Sequence, residues 1–236
     1  MSNHLNRLAA PRPWPITRKT SVWTVKPSPG GHPQERSIPL LLLVRDVLKL
    51  ADTRKEGTHI IGNRKVYVDG RPTRDERRSV GLMDVVTLPS IDHQYRLLLD
   101  GRGMLRLSPI SKEEARWKLV RIEGKGLVRG GKLQLRTHDG RSLLVDKDSY
   151  RVGDVLKISI PEQRLLDHFP FSPGAITYLT GGSHVGELAT LADTEVVRSH
   201  KPNLVRFEEG FSTIRDYAFV VGTKVAQVSP PEVVQK

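Results

Sequence analysis

The sequence contains no cysteine, few aromatic residues and no long hydrophobic run. Without thiols the chain cannot form disulfides, thiolate zinc sites or iron–sulfur clusters, and it has no cysteine nucleophile. The longest apolar run, residues 38–44, contains Pro39, whereas a membrane-spanning helix needs about 20 apolar residues. The N-terminus lacks the apolar core and cleavage site of a secretory signal. We therefore expect a soluble intracellular protein with no membrane partner.

Acidic residues are too few to balance the basic ones, and the shortage is uneven along the chain. Against 38 Lys and Arg stand 26 Asp and Glu, for a net charge of +12. Residues 1–37 carry +5, residues 38–90 carry +3, residues 91–168 carry +5 and residues 169–236 carry −1. A uniform basic coat would not end at one boundary. The distribution indicates a polyanion-binding surface built by the first three segments.

Composition and motifs predict a multi-domain α+β protein. Apolar residues make up only 37% of the chain, against a usual ~45–50%, which fits several small cores. We expect an extended basic N-terminal arm, a helix–turn–helix–strand module, a central β-rich domain, a small β-barrel and a disordered C-terminal tail. These five segments are residues 1–37, 38–90, 91–168, 169–222 and 223–236.

The arm is rich in proline, which argues against packed helices or strands there. Two tryptophans stand among its basic residues. Cations neutralise phosphates while an indole stacks on a base, so we expect the arm to contact RNA. The alternative is that the tryptophans fold back onto a domain and the charges are merely solvated. The RNA-binding residues predicted in the arm are Arg7, Arg12, Trp14, Arg18, Lys19, Trp23 and Lys26.

Two helices are predicted in the module. Apolar side chains of residues 40–51 fall at the spacing of one helix face, with Ser37 as N-cap. The residues TRKE at 53–56 form a capping box that opens a second helix, whose first turn exposes Arg54 and Lys55. Rigidly held cations lose less entropy on meeting phosphates than cations on a flexible tail. The alternative is an ordinary α/β domain with scattered surface charge.

Short strands are predicted to complete the module at residues 66–68 and 84–88. Basic residues precede, follow and separate these elements. The RNA-binding residues predicted in the module are Arg45, Lys49, Arg54, Lys55, His59, Arg64, Lys65, Arg74, Arg77 and Arg78.

The module resembles the S4-type RNA-binding module, also called the alpha-L motif, in LVRDVLKLADTRKE and KVYVDGRPTRDERRSVGLMDVVTL. With HLNRLAAPRPWPITRK, WTVKPSPGGH and GGKLQLRTHDGRSLLV, the chain is similar over nearly its whole length to S4e, a family of archaeal and eukaryotic small-subunit ribosomal proteins. The resemblance implies a non-enzymatic protein that binds ribosomal RNA. It places contacts at Arg45, Arg54, Lys55, His59, Arg64 and Lys65. Gly57 departs from the pattern, because glycine costs up to ~1 kcal/mol relative to alanine within a helix.

The central segment carries strand patterns and tight turns that favour a small barrel or an open sheet. A capping box at residues 111–114 predicts a short helix there. The glycine-rich residues 124–132 lack the Gly-Lys-Ser/Thr ending of a nucleotide-binding loop. We expect this loop to touch RNA, against the alternative of a solvated turn. Its predicted contacts are Lys125, Arg129 and Lys132.

The C-terminal segment resembles a KOW motif, a hairpin within a small five-stranded barrel, in GAITYLTGGSHVGELATL. Adjacent glycines there allow a sharp turn close to a phosphate. Because the segment is net −1, we expect few RNA contacts, centred on His184, or else a surface that faces protein. A metal at His184 is not expected, since no second histidine lies at ligand spacing.

The predicted function is that of a structural constituent of the small ribosomal subunit in the cytoplasm, which binds ribosomal RNA through phosphate and shape contacts. The expected partners are ribosomal RNA and neighbouring ribosomal proteins. No catalytic residue, metal, cofactor or small-molecule substrate is expected. An RNA-modifying enzyme would need a catalytic domain for which no stretch remains. A KOW-containing transcription or translation factor that binds RNA transiently is the alternative.

Overall fold

The structure is a computed structural model that describes residues 3–146 and 148–231, and these residues form two compact units. The first unit consists of the described part of Met1–Leu98 together with Met104–Lys118 and Ile160–Gln163. The second consists of Leu99–Gly103 and the described parts of Leu119–Ser159 and Arg164–Lys236. Both are mostly β-sheet with few helices, so the helical share is smaller than the predicted α+β class implies, while the division into more than one unit agrees with it. The boundaries of the five segments stay a prediction.

The first unit contains two strand pairs and a five-stranded sheet. The pairs are β1 (His4–Asn6) with β2 (Trp23–Val25), and β3 (Ser37–Pro39) with β6 (Ser79–Gly81). The sheet runs, in spatial order, through β5 (Arg71–Pro72), β4 (Tyr67–Val68), β7 (Val85–Leu88), β8 (His93–Leu99) and β9 (Leu105–Pro109). The strands predicted at 66–68 and 84–88 are therefore present as β4 and β7.

Helices are few and short among the described residues, and none has the length and apolar character to cross a membrane. Helix α1 (Leu40–Leu42) continues as a π-helical turn, Leu43–Val47, so the first predicted helix ends earlier than residue 51. Lys49 adopts the left-handed conformation with φ 53°, which stops it. Ser37 is not the N-cap: it lies in β3, and Pro39 precedes the helix. The shorter helix still buries an apolar face.

Helix α2 (Arg54–Gly62) begins where the capping box predicts. Thr53 accepts a hydrogen bond from the backbone N–H of Glu56, whose carboxylate accepts from the N–H of Thr53. Gly57 is buried, and a Cβ placed there would lie 2.6 Å from Cδ1 of Leu41. The glycine therefore permits a close approach to α1, which explains its departure from a helix-favouring residue.

The arm is not free of packed structure, which corrects the sequence prediction. Trp14 is fully buried, and its indole N–H donates to the carbonyl of Ser37 at 2.6 Å. Arg7 is also buried, and its Nε donates to the carbonyl of Thr17 at 2.5 Å. Trp14 and Arg7 are thus core residues of the first unit, and neither presents a face to RNA. The alternative in which a tryptophan folds back is correct for Trp14.

Trp14→Phe is expected to lower the free energy of unfolding by about 1–3 kcal/mol, because the Ser37 carbonyl loses its buried donor and the smaller ring leaves space. Trp23→Phe serves as the control, since Trp23 is 56% exposed and surface changes usually stay within about 0.5 kcal/mol. Urea unfolding followed by circular dichroism measures both. Equal losses in the two variants would contradict the core role of Trp14.

The second unit is built from two five-stranded sheets. The first has the order β12 (Ser142–Val145), β11 (Leu133–Thr137), β10 (Trp117–Leu127), β13 (Val155–Ser159) and β14 (Leu165–Phe169). The second has the order β18 (Ser212–Ile214), β17 (Leu204–Phe207), β16 (Leu188–Glu195), β15 (Ile176–Leu179) and β19 (Ala218–Gly222). Apolar clusters on each sheet, around Ile122 and around Leu191, supply the cores. The hairpin predicted around residues 181–186 is β15 with β16.

Two local predictions differ from the structure. The capping box at residues 111–114 forms, because Ser111 and Glu114 exchange hydrogen bonds. It opens only a 3-10 turn, Glu114–Arg116, since the chain enters β10 directly afterwards. Part of the tail packs against the unit: the N–H of Gln227 donates to the carbonyl of Val221, and Val228 is buried. Residues 232–236 of the predicted tail lie outside the described residues.

A group of charged side chains is buried in the first unit. The Lys118 ammonium lies 2.9 Å from Oδ2 of Asp69 and 2.7 Å from Oδ1 of Asp84, and Nε2 of His32 lies 3.0 Å from Oδ2 of Asp84. All four side chains are at most 6% exposed. Burial acts to raise the pKa of Asp84, but the charges of His32 and Lys118 outweigh it and hold the pKa well below its usual value. We call these four residues the Lys118 network.

Acidification is expected to lower the free energy of unfolding. Because the pKa of Asp84 is lower in the folded chain, its contribution is complete above the ordinary carboxylate pKa of about 3.9 and is lost as the pH falls through the folded-state value. Urea midpoints measured at falling pH should therefore decline most steeply below about pH 4. Midpoints that stay constant or rise in that range would contradict the assignment of Asp84.

Candidate nucleic-acid interface

Helix α2 exposes basic side chains in its first turn. Arg54 and Lys55 are both exposed, at positions fixed by the capping box. Arg54 donates to the Glu76 carboxylate at 2.5 Å while 55% of its side chain stays exposed. Partial burial acts to raise the pKa of Glu76, but hydrogen bonds from Arg54 and Thr58 outweigh it and lower the pKa. Among the described residues Lys55 has no ion-pair partner, so its charge is uncompensated.

The residues after α2 continue this basic surface. Arg64, with φ 58°, and Lys65 are exposed and have no side-chain partner within the described part of the chain. His59 is exposed one turn earlier, where its Nε2 lies 2.9 Å from Nδ2 of Asn63. We call Arg54, Lys55, Arg64 and Lys65, with His59 lying among them, the α2 cation group. Each belongs to the site predicted from the sequence.

The first helix contributes less positive charge than predicted. Arg45 is half-buried, and its guanidinium forms two hydrogen bonds, of 3.0 and 2.9 Å, with the neighbouring Asp46. This pairing compensates its charge. Lys49 is exposed where the helix ends, and none of the described carboxylates pairs with it. Lys49 is therefore the more available cation of the two.

The predicted arginines before β6 differ in exposure. Arg74 is exposed and makes no ion pair with the described residues. Arg77 is half-buried, and its Nη1 donates to the side-chain oxygen of Asn3. Arg78 is half-buried, and its carbonyl accepts from the N–H of Leu40. Arg74 is the one of these three that is fully at the surface.

Basic residues of the arm fall into two groups. Arg12 and Lys19 are exposed, and Lys26 is half-buried; within the described chain none of the three has a side-chain partner. Arg18 instead donates to the carbonyls of Ala10 and Pro11, at 2.6 and 2.9 Å, and so holds the arm together. Arg12 and Lys19 are therefore surface cations of the arm, whereas Arg18 stabilises the structure of the arm.

Trp23 remains an exposed aromatic side chain. The rings of His4 and Trp23 pack edge to face, with a centroid distance of 4.5 Å and an interplanar angle of 71°. Leu8 and Val22 are each 64% exposed in the same arm. An exposed indole is suited to stacking on a base, as the sequence predicts for this residue.

The first four of the glycine-rich residues 124–132 are the end of strand β10, where Lys125 pairs with Leu135, so only residues 128–132 form the predicted loop. Lys125 is bound internally, to the Asp148 carboxylate and, at 2.5 Å, to the carbonyl of Tyr150. Arg129 and Lys132 are exposed, and no described residue pairs with them. The available cations of this loop are therefore Arg129 and Lys132.

His184 is in a different electrostatic setting from the other predicted residues. Its Nδ1 lies 3.0 Å from the Glu187 carboxylate, and its ring stacks on Phe211 at 4.1 Å. A Cβ at Gly181 would come within 2.8 Å of the Tyr217 ring, so this glycine allows close packing inside the unit. These contacts give His184 internal partners on two sides.

Sequence reasoning passed over one basic loop. Arg198, His200 and Lys201 lie between β16 and β17, and all three are exposed. Residues 196–206 contain no acidic residue, although the segment around them is net −1. A charge count over a shorter window would have found this loop.

Some of the basic side chains that contribute to the net charge are buried. Arg96 is 1% exposed, donates to the carbonyls of Glu114 and Trp117, and stacks over the Trp117 ring at 4.3 Å. Burial lowers the pKa of Arg96 to about 10. The Lys118 ammonium lies between Asp69 and Asp84 and pairs with both carboxylates. These cations stabilise the fold and do not face a ligand.

Two family models match the chain: the ribosomal family S4e over residues 91–165 and the RS4NT (NUC023) domain over residues 1–35. The small ribosomal subunit protein eS4 of Methanothermobacter thermautotrophicus is 46% identical over 232 residues, which cover 97% of this chain and 96% of that relative. The chain belongs to the S4e family. This confirms the resemblance found in the sequence motifs.

Other S4e proteins agree over similar lengths. The eS4 protein of Archaeoglobus fulgidus is 46% identical over 224 residues, 94% of each chain. The crystal structure of the 30S ribosomal protein S4e from Thermoplasma acidophilum superposes with a TM-score of 0.72 at 38% identity, covering 82% of this chain and 99% of that one. This chain therefore has the fold of that S4e structure. The sequence-based prediction that the protein is not an enzyme agrees with its membership of a ribosomal protein family.

Proposed function

We propose that this S4e protein is a structural constituent of the small ribosomal subunit and that it binds ribosomal RNA. The supporting observation is the match over nearly the full chain to relatives named small ribosomal subunit protein eS4. It acts in the cytoplasm as part of the particle, with ribosomal RNA and other ribosomal proteins as partners. The transient-factor alternative is not favoured, because the full-length relatives carry a ribosomal name.

The α2 cation group is the proposed centre of RNA binding. Lys55, Arg64 and Lys65 are exposed without compensating carboxylates in the described structure. Positive charges that are held by a helix and its capped ends meet phosphates with little loss of conformational freedom. The further contacts we propose are Lys49, Arg74, Arg12, Lys19, Trp23, Arg129 and Lys132.

Two finer assignments belong to this proposal. Residues 38–90 act as an alpha-L RNA-binding module, supported by α1, the capped α2 and the strands that follow. Residues 169–222 act as a KOW-type domain, supported by the five strands from β15 to β19. His184 pairs with Glu187, so we propose that this domain faces protein more than phosphate.

Binding of the full chain to an archaeal small-subunit ribosomal RNA transcript across a salt series tests the function. If several phosphates are neutralised, the logarithm of the association constant falls with the logarithm of salt by about 0.7–0.9 per phosphate, or several units in total. Expression in an archaeal host should place the protein in the small-subunit peak of a density gradient. A slope near zero, or a protein confined to the free fraction, would contradict the proposal.

A further inference from the structure

A cavity of about 360 Å³ opens in the first unit beside the chain that follows β2. Its volume lies within the ~300–1,000 Å³ range of small-ligand sites. Two stretches form its walls: the arm from Lys26 to the 3-10 turn Gln34–Arg36, and the chain at the start of β6. The wall residues that matter here are Lys26, Pro27, Ser28, Gln34, Arg77 and Ser79.

The cavity is positively charged. Lys26 and Arg77 both line it, and no acidic residue is found among its described lining residues. Neither cation forms an ion pair with any described residue. The Arg77 guanidinium is held by the neutral side chain of Asn3, and the Arg77 carbonyl accepts from the N–H of Ser28 at 2.8 Å. The neighbouring Glu76 carboxylate interacts electrostatically with Arg77 but forms its ion pair with Arg54 and does not line the cavity. A guanidinium held in place beside an ammonium favours an anionic ligand such as a phosphate.

Polar groups with unused hydrogen-bonding capacity line the rest of the cavity. The hydroxyls of Ser28 and Ser79 and the amide of Gln34 have no partner among the described side chains and backbone groups. The rings of Pro27 and Pro29 supply apolar surface. A ligand that suits this lining has a flat or apolar part, hydrogen-bonding edges and a negative charge. A nucleotide has all three.

Small residues keep the space open. A Cβ at Gly30 would come within 2.4 Å of Oγ of Ser79, so the wall is already close-packed at that point. Serines at 28, 37 and 79 line the cavity where larger side chains would fill it. The opening is therefore a product of residue choice along both walls.

We propose that this cavity receives one nucleotide of the bound RNA, extruded from its stack, with its phosphate against Lys26 and Arg77. The inference rests on the proposed RNA-binding function and assigns part of it to a defined cavity. Proteins that recognise RNA commonly take unstacked bases from loops and bulges. A free nucleoside 5′-phosphate has the same chemistry, so the test must separate the two sources.

Filling the cavity without changing its charge provides the first measurement. Gln34→Trp places an indole at the lining, while Gln34→Ala removes the amide and leaves the cavity open. Because Gln34 is exposed, both variants should melt at the temperature of the natural protein. Affinity for an archaeal small-subunit ribosomal RNA transcript should fall on the order of tenfold in Gln34→Trp, the loss of one base contact. Gln34→Ala loses one hydrogen-bonding group but leaves the cavity open, so it should lose clearly less affinity than Gln34→Trp.

Amide chemical shifts of the full chain provide the second measurement. Adenosine and uridine 5′-monophosphates should shift the amides of Ser28, Gly30, Gln34 and Ser79 in the natural protein and in Gln34→Ala. They should leave Gln34→Trp unchanged at these positions other than 34. Inorganic phosphate alone should produce smaller shifts, since it makes no contact with the prolines.

The outcomes separate this inference from the proposed function. If the natural protein binds the transcript with a steep salt dependence and Gln34→Trp binds equally well, the inference is overturned and the proposed function stands. Mononucleotides that saturate the cavity while Gln34→Trp keeps its RNA affinity would make it a site for free nucleotides, which also overturns the inference. Absence of RNA binding by the natural protein would remove both.

Discussion

Lys118→Ala is expected to lower the free energy of unfolding by about 3–5 kcal/mol, the usual cost of removing one partner from a buried ion group. The Lys118 side chain is 0% exposed and donates to two carboxylates. Without it, both buried carboxylates would lose this ammonium, and Asp84 would keep only the His32 contact of the Lys118 network. The loss of unfolding free energy comes mainly from the two buried carboxylates whose ammonium partner is removed. Replacing the whole charged group by neutral side chains would cost far less.

Two further variants make the prediction specific. Lys112→Ala removes a lysine whose pair with Asp92 is 67% and 63% exposed, and surface pairs contribute about 0–1 kcal/mol. Lys118→Met combined with Asp69→Asn and Asp84→Asn removes the charges of three of the four residues of the Lys118 network and should recover part of the stability lost in Lys118→Ala. Urea unfolding measures each variant. If Lys118→Ala were no more destabilising than Lys112→Ala, the buried network would not be a stabilising element.

The triple variant Lys55→Ala, Arg64→Ala, Lys65→Ala is expected to weaken binding to small-subunit ribosomal RNA on the order of 100-fold at about 0.1 M salt. Each phosphate contact contributes about 0.7 to the log–log salt slope, so three contacts account for about two log units per decade of salt. The slope should become shallower by about two units. Filter binding across a salt series measures both quantities.

A charge-matched control separates this effect from net charge. Lys112→Ala, Arg206→Ala and Lys224→Ala remove three cations outside the proposed interface; Lys112 and Arg206 already pair with Asp92 and Glu195. This control should leave the slope nearly unchanged. Equal losses of RNA affinity in both triple variants would mean that binding depends on total charge. The α2 cation group would then not be the centre of RNA binding. Urea midpoints of both variants should stay close to that of the natural protein, because every replaced side chain is exposed.

Local patterns were enough to predict many elements of this fold. The capping box before α2 involves residues three apart and forms as expected. The tight turn at Asp139 and Gly140 joins β11 and β12, and the glycine pair at 181 and 182 lies between β15 and β16. Such turns and caps depend on residues close in sequence, so the sequence alone is enough to predict them.

Predictions that depended on distant contacts were the ones that failed. Ser37 had the chemistry of an N-cap, but it pairs with Gly81 in a strand, and its carbonyl accepts from Trp14. Arg7 and Trp14 had the composition of an RNA-binding arm, but their partners at Thr17 and Ser37 bury them. Contacts with residues distant in sequence determine the burial and the partners of these side chains. The neighbouring residues in the sequence do not indicate those contacts.

The sequence by itself determined the class of protein: the absence of cysteine, the +12 charge with its C-terminal segment of −1, the capping box of α2 and the family motifs all follow from residue order. Only the tertiary structure decided which cations are available. Arg7, Arg96 and Lys118 are buried and Arg45 is paired, while Lys55, Arg64 and Lys65 face solvent. The physical reason is that charge is a property of the residue, whereas its compensation depends on what folding brings beside it.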